Sequence, residues 1–413
     1  MAMASKRMET ASRDCINSLP DEVLGQILSL LPTKLAASTS VLSKRWRNLL
    51  PLVDNLDFDE NMVLYPERSS SITPSSRVFV DFVEKTLGLL RDSPIKKFAF
   101  KRKSFAAEKI ESRSDHIIYN ALERGVSELY LSSYGCCPME HEFFFSKTLV
   151  KLTLSDLCCY QNTLPPSKVL FPALKTVSLI RVTFGAFAAT DMYECLLASP
   201  LLEEYNIYYD EPFSGGWRKH VWGSSIQSIF YRRDDLDSHS LVTFNTPNLV
   251  YLDYSSYVSE DYHFKLDSLV EARLDLILWK YNDSMPPVDE YYGYDSTKGD
   301  ATKLVAAIRN VVTLHLSADS LEVFYFCCKN MPEFSNLVNL SFESHKERGW
   351  QVLPLLLKKS PNLETLVIKG LVHEITNQCG DVQVDQQDKY LPLTNDQMKL
   401  LPKTSSKCKI QFI

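Results

Sequence analysis

Asp237-Ser238-His239-Ser240 gathers a carboxylate, hydroxyls and an imidazole, the side chains of a nucleophile–base–orienter triad. Adjacency in sequence is not triad geometry, because the three groups must be hydrogen-bonded in space, so the stretch reads as a solvated loop. Six of the ten cysteines form the doublets Cys136-Cys137, Cys158-Cys159 and Cys327-Cys328. No C-x-x-C is present and no Cys/His pair has zinc-finger spacing, so the thiols read as reduced, small core hydrophobes. The eight histidines are scattered singly. No glycine-rich phosphate loop, nucleophile elbow or H-E-x-x-H pattern occurs. Lys96-Lys97-Phe98-Ala99-Phe100-Lys101-Arg102-Lys103 interleaves cations with aromatics, as single-stranded nucleic-acid binders do. Its aromatics also fit a repeat described below, so a solvated strand edge is the favoured reading and a nuclear-import patch the alternative. Nothing in these residue types calls for catalysis: the expectation is a non-enzymatic protein with no cofactor and no metal.

The elements that would position such residues come next. The chain has 413 residues, 45% of them apolar, enough for two or three domains or one long repeat array. With 45 basic and 51 acidic residues the net charge is −6, which gives no reason to expect nucleic acid or an anionic membrane as partner. Met1 to Asp14 is polar and lacks an apolar signal region, and no run reaches the ~18 apolar residues of a membrane span. A cytoplasmic or nuclear location is expected.

Leu19-Pro20-Asp21-Glu22-Val23-Leu24-Gly25-Gln26-Ile27-Leu28-Ser29-Leu30-Leu31-Pro32 predicts a helix of about three turns fenced by prolines, with acids at the positive end of its dipole. Val23, Leu24, Ile27, Leu28 and Leu31 form one amphipathic stripe, and Leu30 falls off it. A second short helix is expected over Thr33–Val41. A third, Lys44–Leu50, is capped by Ser43 and closed by Pro51. Pro66 to Ser76 reads as a connector.

Beyond it, apolar-x-x-apolar-x-apolar recurs eleven times: Ile95/Phe98/Phe100, Val126/Leu129/Leu131, Leu149/Leu152/Leu154, Leu174/Val177/Leu179, Leu202/Tyr205/Ile207, Ile226/Ile229/Tyr231, Leu249/Leu252/Tyr254, Leu269/Ala272/Leu274, Val311/Leu314/Leu316, Leu337/Leu340/Phe342 and Leu363/Leu366/Ile368. Starts lie 31, 23, 25, 28, 24, 23, 20, 42, 26 and 26 residues apart, mostly near the ~20–29 period of leucine-rich repeats. Pro172, Pro200, Pro247 and Pro361 each stand two residues before a unit. Helix-like stretches over 193–198 and 352–359 precede two of those tags. Each unit is therefore expected to be a helix or turn, then a short strand, stacking into a solenoid with a parallel sheet. The 42-residue spacing holds an acidic, tyrosine-rich insert, Lys280 to Asp300, which is either a solvated loop or a surface for a basic partner.

Residues 14–55, from Asp14-Cys15-Ile16-Asn17-Ser18-Leu19-Pro20-Asp21-Glu22-Val23-Leu24 to Ser40-Val41-Leu42-Ser43-Lys44-Arg45-Trp46-Arg47, closely resemble an F-box, with Leu35 standing where an acid is usual. The units that follow resemble the divergent leucine-rich repeats of plant F-box/LRR proteins, many of which end in an FBD region. Trp350 to Gly380, with Leu355-Leu356-Leu357-Lys358-Lys359-Ser360-Pro361-Asn362-Leu363-Glu364-Thr365-Leu366, resembles the entry to that region; where the family continues into a further aromatic helix-forming stretch, residues 381–413 here are mostly polar.

The resemblance implies an α/β chain: an N-terminal three-helix F-box followed by a curved leucine-rich-repeat solenoid with a parallel sheet. The division expected is residues 1–13 as a tail, 14–60 as F-box, 61–90 as connector and capping helix, and 91–375 as solenoid. The solenoid leads into a partial FBD region from about residue 350, and 376–413 form a polar tail carrying an incomplete FBD region. By the same resemblance the F-box docks onto a Skp-type adaptor, and through it a cullin, by way of Leu19, Pro20, Ile27, Leu28, Leu31, Pro32, Val41, Leu42 and Trp46. Tryptophan is a frequent interface anchor, and a ~45-residue module has surplus leucines only if a partner covers them. The implied function is the substrate-recognition subunit of an SCF-type ubiquitin ligase, with an unidentified target protein on the solenoid. A scaffold acting outside a ligase is the alternative. Some family solenoids hold a small-molecule co-ligand, and no residue here identifies one.

Overall fold

Proline fixes where the first helices begin. Pro20 and Pro32 are the N-caps of α1 (Asp21–Leu28) and α2 (Thr33–Ser38), each at the position where a missing N–H costs nothing. The computed structural model describes residues 16, 18–62, 73–91, 93–102, 108–136, 146–159, 171–184, 189–209, 220–233, 241–278, 299–345, 350–370 and 408–412. The described part of the chain is α/β, a short-helix N-terminal region followed by parallel sheet.

The helical region differs in detail from the sequence reading. Helix α1 has 8 residues, just over two turns, because the chain leaves it at Leu28, well before Pro32. The second helix ends at Ser38 and tightens into a 3₁₀ turn, Thr39–Val41. Helix α3 is one turn, Lys44–Arg47, with the Ser43 hydroxyl accepting from the Trp46 amide at 3.3 Å, as its N-cap position predicts. Pro51 does not close it. It sits inside a further 3₁₀ turn, Leu50–Leu52.

The chain divides into two compact units, Met1–Leu131 and Ser132–Ile413. In the first, the strand Asn55–Asp59 pairs in parallel with Lys97–Arg102, Leu56 opposite Phe98 and Phe58 opposite Phe100. The crossover between them contains helix α4 (Thr73–Leu90). Phe79 of α4 stacks on Phe100 at 5.4 Å, and Phe82 meets Phe58 edge-on at 5.9 Å. Arg113 of α5 (Glu108–Glu123) donates to Asp81 and Glu84 of α4. The parallel ladder thus opens at Asn55, ahead of the expected start at 91, and α4 is a crossover helix of the first repeat. Val53/Leu56/Phe58 carries the repeat spacing and is buried.

In the second unit, ten strands pair in parallel in chain order: Lys151–Cys159, Thr176–Ile180, Glu204–Tyr209, Ser228–Arg233, Tyr251–Tyr257, Glu271–Ile277, Thr313–Leu316, Asn339–Glu343, Thr365–Lys369 and Lys409–Phe412. The middle positions of the apolar triplets form one register row: Leu152, Val177, Tyr205, Ile229, Leu252, Ala272, Leu314, Leu340 and Leu366. Every apolar position of the eleven sequence units is buried. The tag prolines occupy the second position of a turn closed by the first apolar residue of the unit, as in Leu249 N–H to Thr246 C=O at 3.1 Å and Leu202 to Ser199 at 3.2 Å.

Two further expectations change. Not every return is helical: three of them carry His220–Trp222, Val242–Asn245 and Tyr262–Lys265, which form a second, three-stranded parallel sheet. The polar tail also returns to the sheet, Lys409–Phe412 pairing with Thr365–Lys369. The Asp237–Ser240 quartet, nearly all of the 280–300 insert, and residues 371–407, where most of the FBD expectation falls, lie outside the described residues.

Candidate functional site

The N-terminal helices are held against the first strand by small polar residues. The Thr33 hydroxyl accepts from the Asp57 amide at 2.7 Å. The Ser29 hydroxyl accepts from the Asp54 amide at 3.2 Å and donates to the Gly25 carbonyl at 2.9 Å. A Cβ on Gly25 would lie 2.7 Å from Cβ of Leu52, so glycine is what lets α1 close on that turn. Arg45 of α3 reaches back to the start of α1, forming an ion pair with Asp21 at 2.6 Å and donating to the Leu19 carbonyl.

These ties fix which side chains face inward. Leu24 and Leu28 are buried, Leu28 with 1% of its surface exposed. The outward set is large: Val23, Ile27, Leu30, Leu35, Val41, Leu42 and Leu52 are all exposed, Leu30 and Val41 at 82% and Leu42 at 66%. Of the nine residues expected to contact an adaptor, Pro20, Ile27, Val41 and Leu42 are exposed, Leu19, Leu31, Pro32 and Trp46 are half-buried, and Leu28 belongs to the chain's own core. Leu30 was not among them, although its place off the helical stripe is the signal that finds it.

The second candidate surface is the outward face of the sheet in the second unit. The strands from Glu204–Tyr209 onward alternate inward apolar residues with outward ones, so Asn206, Phe230, Asp253, Arg273, His315 and Ser341 form one outward row. His315 contacts the Ser341 hydroxyl through Nδ1 and lies 3.3 Å from Glu271 through Nε2. Burial, and secondarily the Arg273 charge, hold its pKa below the ordinary imidazole value, so it is neutral at pH 7. A serine, histidine and glutamate thus meet here, but on strands whose amides are used in the ladder.

The basic–aromatic stretch is not a strand edge. Lys97–Arg102 has a strand on each side, Phe98 and Phe100 are buried, and two of its cations are matched by carboxylates: Lys97 by Glu128 at 2.9 Å and Lys101 by Asp57 at 3.0 Å. Among the described residues no group of three or more His, Cys, Asp or Glu side chains is placed to hold a metal ion, and no helix is long and apolar enough to cross a membrane.

Comparison with known proteins agrees with both halves of the fold. Residues 16–57 match the model of the F-box domain. An F-box/LRR-repeat protein of Arabidopsis thaliana is 47% identical over 404 residues, 91% of this chain and 80% of that protein. A putative F-box protein of the same plant is 49% identical over 385 residues, covering 90% and 80% of the two chains. A second Arabidopsis F-box/LRR-repeat protein is 44% identical over 389 residues, 90% of this chain and 78% of the relative. The chain is an F-box protein and belongs to the F-box/LRR-repeat family.

Proposed function

We propose that the chain is the target-recognition subunit of an SCF-type ubiquitin ligase: its F-box docks on a Skp-type adaptor, which links it to a cullin, and its repeat sheet holds the protein to be ubiquitinated. The observation that carries this reading is the exposure of Leu30, Val41 and Leu42 in a module whose core is already filled by Leu24, Leu28, Leu49 and Leu50. Large apolar side chains so exposed within one short module are the mark of a surface that a partner covers. Pro20 and Ile27, exposed, and Leu19, Leu31, Pro32 and Trp46, half-buried, complete the docking set. Catalysis in such an assembly is proximity. The chain supplies no reacting group, and holding the target beside an activated thioester raises the effective concentration of its lysine. Its place of action is the cytoplasm, the nucleus or both.

The test is binding of the full chain to purified Skp-type adaptor, followed by addition of cullin and size-exclusion chromatography. Val41→Asp combined with Leu42→Asp puts two charges into the docking face without touching the core. Adaptor binding is expected to fall by more than about tenfold, as for interface hot spots, with the thermal midpoint unchanged. Unchanged adaptor affinity overturns the docking assignment. An adaptor complex that cannot recruit cullin favours a scaffold acting outside a ligase.

A further inference from the structure

The outward face of the sheet changes character over four strands. Glu204–Tyr209 and Ser228–Arg233 present Tyr208, Phe230 and Arg232, and Tyr251–Tyr257 and Glu271–Ile277 present Tyr251, Asp253, Arg273 and Asp275. Register makes these neighbours: Phe230 stands between Asn206 and Asp253, Arg232 between Tyr208 and Ser255, and Asp275 opposite Ser255. Phe230 and Tyr208 keep 39% and 37% of their surface exposed, on a sheet where all the inward triplet positions are buried. The Phe230 and Tyr251 rings lie 5.1 Å apart, forming one aromatic platform.

The charges around the platform are unequally satisfied. Arg273 donates to Glu271 at 3.2 Å and lies over the Tyr251 ring at 5.9 Å, so that cation is engaged from both sides. Among the described residues, Asp253 receives the Tyr251 hydroxyl at 3.5 Å, and Asp275 a bond from the Ser255 hydroxyl at 3.0 Å. Neither has an ion-pair partner among the described residues. Four carboxylates, Glu204, Asp253, Glu271 and Asp275, face two guanidiniums, Arg232 and Arg273, beside a neutral His315. The local surplus is negative, and it flanks the aromatics: Asp253 shares a strand with Tyr251 and stands opposite Phe230.

We propose that this four-strand face is the docking surface for the target and that it takes a polypeptide segment carrying a basic side chain close to an aromatic or large aliphatic one. The apolar side chain lies on Phe230, Tyr208 and Tyr251, and the cation meets Asp253 and Asp275. Three strand spacings of about 4.8 Å separate the outer strands of the patch, so an extended segment of four or five residues, at about 3.3 Å each, spans it. Aromatic platforms flanked by an arginine have the composition of interface hot spots, and the unpaired carboxylates set which sign of charge is accepted. The inference rests on the receptor reading only in calling the occupant a target. The binding chemistry stands on the sheet face itself.

Fluorescence anisotropy on the full chain tests it, with the dye-labelled peptide Gly-Ser-Lys-Phe-Ser-Lys-Phe-Ser-Gly as probe. Versions with glutamate in place of lysine, or serine in place of phenylalanine, are the comparisons. The lysine–phenylalanine peptide is expected to bind, to weaken with salt, and to lose at least about tenfold in affinity on Phe230→Ala and, separately, on Asp253→Asn with Asp275→Asn. Glu333→Gln with Glu364→Gln removes the same charge elsewhere on the second unit and is expected to change little. Three results overturn the proposal: equal or tighter binding of the glutamate peptide, no loss with either face variant, or an equal loss in the Glu333/Glu364 variant, which would mean attraction to net charge alone. Val41→Asp with Leu42→Asp is expected to leave peptide binding intact. Loss of adaptor binding in the wild-type chain overturns the ligase reading without touching the peptide result.

Discussion

Two leucines in the N-terminal module have opposite fates, although the resemblance assigned both to the same contact. Leu28 is buried on α1, which packs against the Leu50–Leu52 turn, whereas Leu42 stands in solvent after a 3₁₀ turn. Removing the Leu28 side chain leaves a cavity in a small core, at a cost of about 2–5 kcal/mol. Leu42→Ala removes surface already in water and is expected to leave stability within about 0.5 kcal/mol. Thermal denaturation and adaptor titration of the two variants separate these roles: Leu28→Ala lowers the midpoint, and Leu42→Ala lowers adaptor affinity alone. Equal destabilisation by both contradicts the assignment. The sequence shows the face of α1 through its period, so Leu24 and Leu28 are legible as core. It does not show that the chain leaves the helix at Leu28, which is what turns Leu30 outward.

At the scale of elements, the length of each unit decides what carries the chain back between strands. Among the described returns, units of 26 residues or more use a helix, as in α5, α6 (Ala189–Leu197), Ala318–Phe326 and Leu353–Lys358. Units of 24, 23 and 20 residues use the strands of the second sheet. An extended chain rises about 3.3 Å per residue against 1.5 Å in a helix, so a short unit spans the same return only when extended. The triplet spacing therefore made the strands legible, and it also held the helix-or-strand choice in the unit lengths. Between the two sheets lies a tyrosine-rich core. Burial raises the phenol pKa of Tyr193, Tyr205 and Tyr254 well above the usual value, and that of Tyr262 to about 12. In the unfolded chain these phenols ionise near pH 10, while the folded chain still holds their protons. The unfolded state then binds fewer protons, so stability is full below about pH 10 and falls as pH rises towards 12. An alkaline titration followed by tyrosinate absorbance and circular dichroism is expected to show a cooperative late step in which ionisation and loss of structure coincide. Smooth ionisation of all the tyrosines with the fold intact contradicts it.

At the scale of the whole molecule, a parallel strand left open on one side presents unpaired amides and carbonyls to any other chain. Here Thr365–Lys369, the strand of the eleventh sequence unit, is covered by Lys409–Phe412, with Leu366 opposite Ile410 and Ile368 opposite Phe412. The pairing was not legible in the sequence because the repeat triplet is incomplete: Ile410 and Phe412 occupy the second and third positions, but Lys407 stands at the first. The strand also follows a long polar stretch that carries no repeat spacing. Its four residues nevertheless decide whether the Thr365–Lys369 edge is open. Deleting residues 400–413 is expected to lower the thermal midpoint and to make the chain self-associate with rising concentration, measured by light scattering after size exclusion. Gln411→Pro, placed in the ladder opposite Val367 where a proline cannot donate, should reproduce the effect in part with the full length retained. Adaptor binding, which depends on the N-terminal module, should survive both changes. A truncated chain that stays monomeric with an unchanged midpoint shows that Lys409–Phe412 is dispensable as a cover for this edge.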